Sequence, residues 1–269
     1  MRRKTGKILG ISIDFDTKNT ILEEVRKGLR KSSAISYQLS AKPLKPLVIV
    51  TPNPEQLVLA HENPWFAQLL NRADVALPDG IGLVAAMRLL VKLSAISYQL
   101  SAIERIPGVE FMEDLVGIAA KERVRIGLIG GTEKVAVEVF ECLRARWSGL
   151  SGWAMEAPEI EIEQSMQNLE FRERDRNKNL EFRSWNVENN NVALAQILHS
   201  KFQLLPSDSF DSYIKKLAEI ILATQTQMVF VALGAPKQEI FIQALSRQLS
   251  AISSQSSAVS DQPVALSIS

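Results

Sequence analysis

A single cysteine, Cys142, excludes an internal disulfide framework and fits a reducing compartment. An excess of either charge is also missing. Thirty-one basic residues against 30 acidic ones leave a formal net charge of +1, so no global field argues for nucleic acid or for an anionic membrane. Long apolar runs are absent. The longest candidate, "IGLVAAMRLLVKL", is broken by Arg88 and Lys92, so nothing reads as a bilayer span. The opening "MRRKTGKILGISIDFD" has basic residues before a short apolar run. That run meets Asp14 too early for a signal peptide, and no small-residue cleavage site follows. The only two histidines, His61 and His199, have no metal-ligand partner at useful spacing and read as surface residues, and Cys142, among apolar neighbours in a helical run, reads as packing. What remains, 46% hydrophobic and 23% charged over 269 residues, is ordinary globular composition.

One peptide recurs. "SAISYQLSA" stands at Ser33–Ala41 and again at Ser94–Ala102, and a blurred copy, "SAISSQSSA", opens at Ser250. The internal step is seven residues, but a coiled coil needs at least ~3–4 sustained heptads, and Ile35, Tyr37 and Leu39 also alternate as in a strand. The local signal therefore fits either period. A simpler cause is a seven-nucleotide tandem repeat, which returns to frame after seven codons: GCTATCA read three times gives Ala-Ile-Ser-Tyr-Gln-Leu-Ser, the observed peptide. On this reading the copies are inserted repeat DNA and carry no chemistry. "NLEFR", at Asn168 and Asn179, is a second repeat of the same kind. Related codons at Ser33 and Ser94 are the expected outcome of reading the gene; unrelated codons would sink the idea.

Between the repeats, short apolar runs alternate with amphipathic segments. "KILGISID" reads as a strand, and Thr17 caps a helix running to about Arg30. "PLVIVT" is a strand and "NPEQLVLAHEN" a helix. "ADVALPDG" is a strand and turn, "IGLVAAMRLL" and "VEFMEDLVGIAAKE" are helices, and "RVRIGLIGG" is a strand with a Gly-rich turn. "TEKVAVEVFECLRARW" and "FDSYIKKLAEIILATQ" are helices, "TQMVFVALG" a strand, and "APKQEIFIQALSRQ" a helix. Nearly all-apolar strands between amphipathic helices predict an α/β fold, a Rossmann-like parallel sheet covered on both faces. The expected domain spans 1–248, interrupted by low-complexity insertions at about 32–42, 93–103 and 150–211. Residues 249–269 are Ser-rich and read as a poorly ordered tail.

Open parallel sheets bind ligands beyond the carboxyl ends of their strands. Four predicted strand ends carry unusual residues: Thr51-Pro52-Asn53, Pro78-Asp79-Gly80, Gly130-Gly131 and Gly234–Glu239. Gly130-Gly131-Thr132 can bring backbone amides to a phosphate at a helix start. It is not the G-x-G-x-x-G fingerprint, and a tight turn with Thr132 as cap suits the local sequence better. At Gly234-Ala235-Pro236-Lys237, Lys237 can meet a phosphate and Gln238 a sugar hydroxyl, or the segment is a plain βα turn; the two readings stand level. Asp79 can act as general base if it reaches an acceptor hydroxyl, although Pro-Asp-Gly is by itself a common turn. Asp14-Phe15-Asp16 has the spacing of a divalent-ion pair, but suits a strand end and helix start better.

The order of these motifs is more specific than any one of them. "TPNPEQLVLAHENPWFAQLLNRADVALPDGIGLVAAMRLL", "ERIPGVEF", "IGLIGGTEKVA" and "VFVALGAPKQEIFI" together strongly resemble the WecG/TagA/CpsF glycosyltransferase family over about Ile8 to Gln243. The resemblance implies a Rossmann-like inverting transferase. It moves N-acetylmannosamine or its uronic acid from UDP to an undecaprenyl-diphosphate-linked sugar in cell-surface polysaccharide synthesis. It implies a cytoplasmic enzyme, peripheral at the inner membrane face, without metal or cofactor, and it leaves homo-oligomerisation open. Asp79 becomes the candidate base. Thr51, Asn53, Gly80, Lys237 and Gln238 become contacts to sugar or phosphates, Arg105 a fork of donors for the diphosphate, and Gly130 and Gly131 neighbours of the nucleotide. The chain also departs from the family. The second repeat copy lengthens the segment delivering Arg105, a polar stretch follows Leu150, and the third copy stands where the family continues with a Gly/Asp-containing strand region and an Arg-rich segment. These departures give the alternative expectation of an inactive or degenerate member that still binds a nucleotide sugar.

Overall fold

The computed structural model describes residues 4–35, 46–93, 103–131, 134–156, 160–162, 171–173, 182–185, 210–255 and 264–267. In these the fold is α/β: a seven-stranded sheet in the order β4-β3-β11-β10-β5-β6-β9. Its strands are β3 (Leu47–Val50), β4 (Val75–Ala76), β5 (Arg125–Gly130), β6 (Ser151–Met155), β9 (Phe182–Trp185), β10 (Met228–Ala232) and β11 (Val264–Ser267). Every neighbouring pair is parallel except β6 with β9. The helices are α1 (Lys18–Ile35), α2 (Pro54–Glu62), α3 (Pro64–Arg72), α4 (Ile81–Leu93), α5 (Gly108–Glu122), α6 (Val135–Arg146), α7 (Phe210–Ala223) and α8 (Lys237–Gln255).

Side chains of a strand point alternately to opposite faces, so a sheet covered on both sides needs apolar residues at every position. Strand β10 shows this directly. Met228 and Phe230 join α1, α5 and α6 on one side, while Val229 and Val231 join α7 and α8 on the other. A third cluster packs α2, α3 and α4 with Val50 and Ala76. Thr17 caps α1 as its sequence predicts: its Oγ1 accepts the Thr20 amide at 3.3 Å.

Several elements differ from expectation. "KILGISID" is a hairpin, β1 (Thr5–Ile8) antiparallel to β2 (Ile11–Asp14), because Leu9 and Gly10 turn at φ 48° and 83°. Helix α1 continues past Arg30 to Ile35, into the first repeat copy. Residues 151–155, expected at the head of a polar insertion, form β6 in the main sheet, and residues 182–185 of that stretch pair with it as β9. Two short antiparallel strands, β7 (Ile160–Ile162) and β8 (Phe171–Glu173), form a separate ladder. Residues 249–255, expected to be poorly ordered, extend α8, where Leu249 is 3% exposed and Ile252 packs on the same cluster. Residues 264–267 pair on both sides as β11. The spacing Ile242, Leu245, Leu249, Ile252 is helical, so the third repeat copy extends a core-facing stripe by Ile252.

Trp153 shows why β6 belongs to the core. It is fully buried, and its Nε1 donates to Thr226 Oγ1 at 2.7 Å. Gly127 on β5 leaves the space for its ring, since a Cβ there would stand 2.4 Å from Trp153 Cζ2. Trp153→Ala is expected to cost about 3–5 kcal/mol of stability. Urea denaturation checks it: an unchanged midpoint would return 151–155 to the insertion.

Candidate active site

Parallel pairing delivers the carboxyl ends of β3, β4, β5, β10 and β11 to one edge of the sheet. Beyond β3 and β4 the pairing continues into the turns: the Leu77 amide donates to Val50 O at 2.8 Å and the Asp79 amide to Pro52 O at 3.2 Å. Thr51-Pro52-Asn53 and Pro78-Asp79-Gly80 therefore run side by side. Asn53 caps α2, its Oδ1 accepting the Gln56 amide at 2.9 Å. Gly80 has φ +123°, and a Cβ there would lie 2.9 Å from Pro54 Cδ, so the turn requires glycine.

The "ERIPG" segment closes on the same two turns. The Ile106 amide donates to Pro78 O at 3.0 Å. The Gly108 amide, at the start of α5, donates to Asp79 Oδ2 at 3.1 Å. Arg105 Nη2 stands 3.5 Å from Asp79 Oδ1, with the arginine side chain 48% exposed and the aspartate 15%. Thr51, 1% exposed, fits because Gly108 lacks a side chain: a Cβ there would meet its Oγ1 at 3.0 Å. The carboxylate is thus held between a helix N-terminus and a guanidinium, and retains enough exposure to receive a proton from a hydroxyl.

At the same edge, β5 ends in Gly130 and Gly131 and β10 leads to Gly234. Gly130 has φ +147°, and a Cβ would meet Ala232 O at 2.2 Å; at Gly131, φ +69°, it would meet Val135 Cβ at 2.9 Å. Both glycines are required by chain packing alone. The Lys134 amide, preceding α6, donates to the Glu156 carboxylate, and Thr132 lies outside the described residues. Lys237 opens α8. Gln238 is fully buried; its Nε2 donates to Glu239 Oε1 at 3.0 Å, and its Oε1 has no hydrogen-bond partner among the described residues.

The structure gathers Thr51, Asn53, Asp79, Gly80 and Arg105 into one contiguous group. It puts Gly130, Gly131, Lys237 and Gln238 at neighbouring strand ends of the same edge. Gly108 and Glu156 do not stand out in the sequence. The Pro107-Gly108 pair just before a periodic apolar run is the one signal for the first, and Glu156 has none. Asp14 and Asp16 serve separate amides: Asp14 Oδ2 accepts Ala76 N–H at 2.7 Å and Asp16 Oδ2 accepts Lys4 N–H at 3.1 Å. Cys142, expected in packing, is exposed on α6. His61 is exposed, and His199 lies outside the described residues.

The chain belongs to the glycosyl transferase WecG/TagA/CpsF family, matching it over residues 7–175 and 182–259. It is 29% identical over 150 residues to the N-acetylglucosaminyldiphosphoundecaprenol N-acetyl-beta-D-mannosaminyltransferases of Staphylococcus aureus strains NCTC 8325 / PS 47 and COL. Each match covers 56% of this chain and 53% of the relative, so the chain spans about half the length of these curated relatives. Among the described residues no helix is long and apolar enough to cross a membrane.

Because Asp79 ties α5 to the β4 turn, Asp79→Ala is expected to cost about 1 kcal/mol of stability, as lost helix-terminal carboxylate partners do. Asp79→Asn, which keeps an acceptor oxygen, is expected to cost less. Urea midpoints of the two variants check the order. Equal, negligible shifts would show that the Gly108 contact does not hold α5.

Proposed function

We propose that the chain is an inverting glycosyltransferase that moves a sugar of the N-acetylmannosamine type from UDP to a lipid-linked acceptor, an undecaprenyl-diphosphate sugar. The observation that carries this reading is Asp79 at the sheet's carboxyl edge, fixed by the Gly108 amide and paired with Arg105. Family membership and the printed activity of the Staphylococcus aureus relatives support the same chemistry.

In this reading the acceptor hydroxyl attacks the anomeric carbon from the face opposite the nucleotide. The new bond joins acceptor oxygen to that carbon, and the bond from carbon to the UDP phosphate oxygen breaks. Asp79 takes the hydroxyl proton. UDP leaves with the bonding pair, and the cations of Arg105 and Lys237 meet the charge that develops on its diphosphate. Thr51, Asn53 and Gly80 line the turns beside the base, and the buried Gln238 Oε1 is an acceptor for a sugar hydroxyl. Gly130 and Gly131 border the nucleotide. No metal is needed in this scheme because the side-chain cations of Arg105 and Lys237 carry the role. The acceptor's lipid chain makes the enzyme peripheral to the cytoplasmic face of the membrane.

Titration calorimetry with a panel of UDP-sugars, with and without a chelator, tests donor binding. UDP-N-acetylmannosamine is expected to bind tightest and to be indifferent to chelation; loss of binding on chelation would overturn the metal-free scheme. Asp79→Asn is expected to lower turnover by ~10²–10⁴-fold with donor affinity largely kept. An unchanged rate would remove Asp79 from the role of base, and a large loss of affinity would make it a ligand contact instead.

A further inference from the structure

Helix α4 begins two residues after Asp79 and covers the third core cluster with one side only. Leu83, Val84, Met87 and Val91 are 2%, 6%, 0% and 6% exposed. At about 3.6 residues per turn, Ile81, Ala85, Arg88, Leu89 and Lys92 share the opposite side, and all five are exposed. Ile81 is 75% exposed and Leu89 57%. Scattered apolar residues on a surface are ordinary. Here two large aliphatic side chains share one stripe with two cations, on a helix whose sequence, "IGLVAAMRLLVKL", contains no acidic residue. Arg88 donates from Nε and Nη2 to Ile103 O at 3.3 and 2.8 Å, which holds its charge beside Leu89 on the stripe. Strand β1 lies beside α4 and brings exposed Lys4 and Lys7, with Leu9 of the hairpin turn 47% exposed.

We infer that this face of α4 docks on an anionic bilayer surface. Charge complementarity selects the occupant. A helix face of aliphatic residues bordered by Lys and Arg lies in the interface with its apolar side chains in the acyl boundary and its cations among anionic headgroups. Long basic side chains extend toward the headgroups while their stems cover apolar surface. The net charge of +1 gives the whole molecule no such attraction, so binding to anionic lipid would have to rest on a local arrangement such as this face. Docking through α4 brings Ile81, and with it the Asp79 turn, to the depth at which a lipid diphosphate sits. This consequence rests on the proposed acceptor; the docking itself does not.

Sedimentation of the full chain with phosphatidylcholine vesicles, and with phosphatidylcholine/phosphatidylglycerol vesicles, tests the inference without donor or acceptor. Failure here and failure of donor calorimetry are therefore separate outcomes. Binding is expected to the anionic vesicles, to be weak on the neutral ones, and to fall with salt. Leu89→Glu and Lys92→Glu are each expected to lower partition by roughly tenfold or more, with circular dichroism unchanged because both positions are exposed. Val139→Glu, on the exposed side of α6, is the charged control and is expected to change nothing. Four results would overturn the inference: no binding to anionic vesicles, full binding by both α4 variants, equal loss in Val139→Glu, or a concentration-dependent self-association that Leu89→Glu abolishes while vesicle binding is absent. The last would assign the face to a second copy of the chain.

Discussion

The amide of Gly108 donates to a carboxylate 29 residues earlier in the chain, and the candidate site depends on that contact. Asp79 belongs to the turn after β4, and Gly108 opens α5. Thr51, from the turn after β3, fills the space that the glycine leaves. Three segments remote in sequence are thereby fixed against one another. A side chain at position 108 would push Thr51 away, and a side chain at position 80 would strike Pro54. The contact also sets where Arg105 can go: it stands directly before Ile106, whose amide is anchored on Pro78 O, so its guanidinium stays within reach of Asp79. An exposed ion pair of this kind adds little stability by itself. Its value lies in position, because it keeps a cation beside the carboxylate that the proposed reaction would use as base.

Most of the fold could be read from residue patterns because both faces of a parallel sheet are buried. Strands such as "LVIV" and "MVFVA" are then nearly all apolar, and the helices between them carry period-3.6 stripes. The structure departs from the pattern where that signal weakens. "SGWAM" starts with Ser-Gly and precedes a charged stretch, so nothing local marks it as a central strand. Its burial depends on Gly127 across the ladder, a long-range fit invisible in sequence. The hairpin at Leu9-Gly10 was missed for a different reason: the apolar run continues through the turn, and only the glycine marks it. At the site, Asp79 and Asn53 stood out because Pro, Asp, Asn and Gly punctuate strand ends. Gly108 is hard to find because its role is to donate an amide and to lack a side chain.

The repeat copies bear on the same point. A peptide whose cause is tandem DNA need not resist the structure around it. In the described residues the first copy prolongs α1, and the third prolongs α8, with Ile252 packed on the core cluster next to Leu249 just before the copy. Ala, Leu and Gln are good helix formers, and a seven-residue step keeps an apolar residue on one side of a helix for two turns. After the third copy, β11 enters between β3 and β10, pairing parallel with both. An α8 crossover between parallel neighbours is the ordinary connection of such a sheet. Sequence of low complexity therefore occupies a position of high structural consequence: without β11, two buried strands would lack a ladder between them.

Where a diphosphate would sit follows from the distribution of charge along the sheet edge. The Gly130-Gly131 turn, which the local sequence favours as a tight turn over a phosphate cradle, needs both glycines to let β5 pass Ala232 and α6 begin beside Val135. The amide of Lys134 before α6 is already engaged by the Glu156 carboxylate. A phosphate at that helix start would face a like charge or have to displace it, which a positive helix dipole end only partly offsets. Among the described residues the carboxylate beside Arg105 is Asp79, and the guanidinium is half exposed with donors to spare. Under the proposed reaction the leaving group's charge is therefore better met by Arg105, before α5, and by Lys237, at the start of α8. The glycines then border the nucleotide without gripping its phosphates.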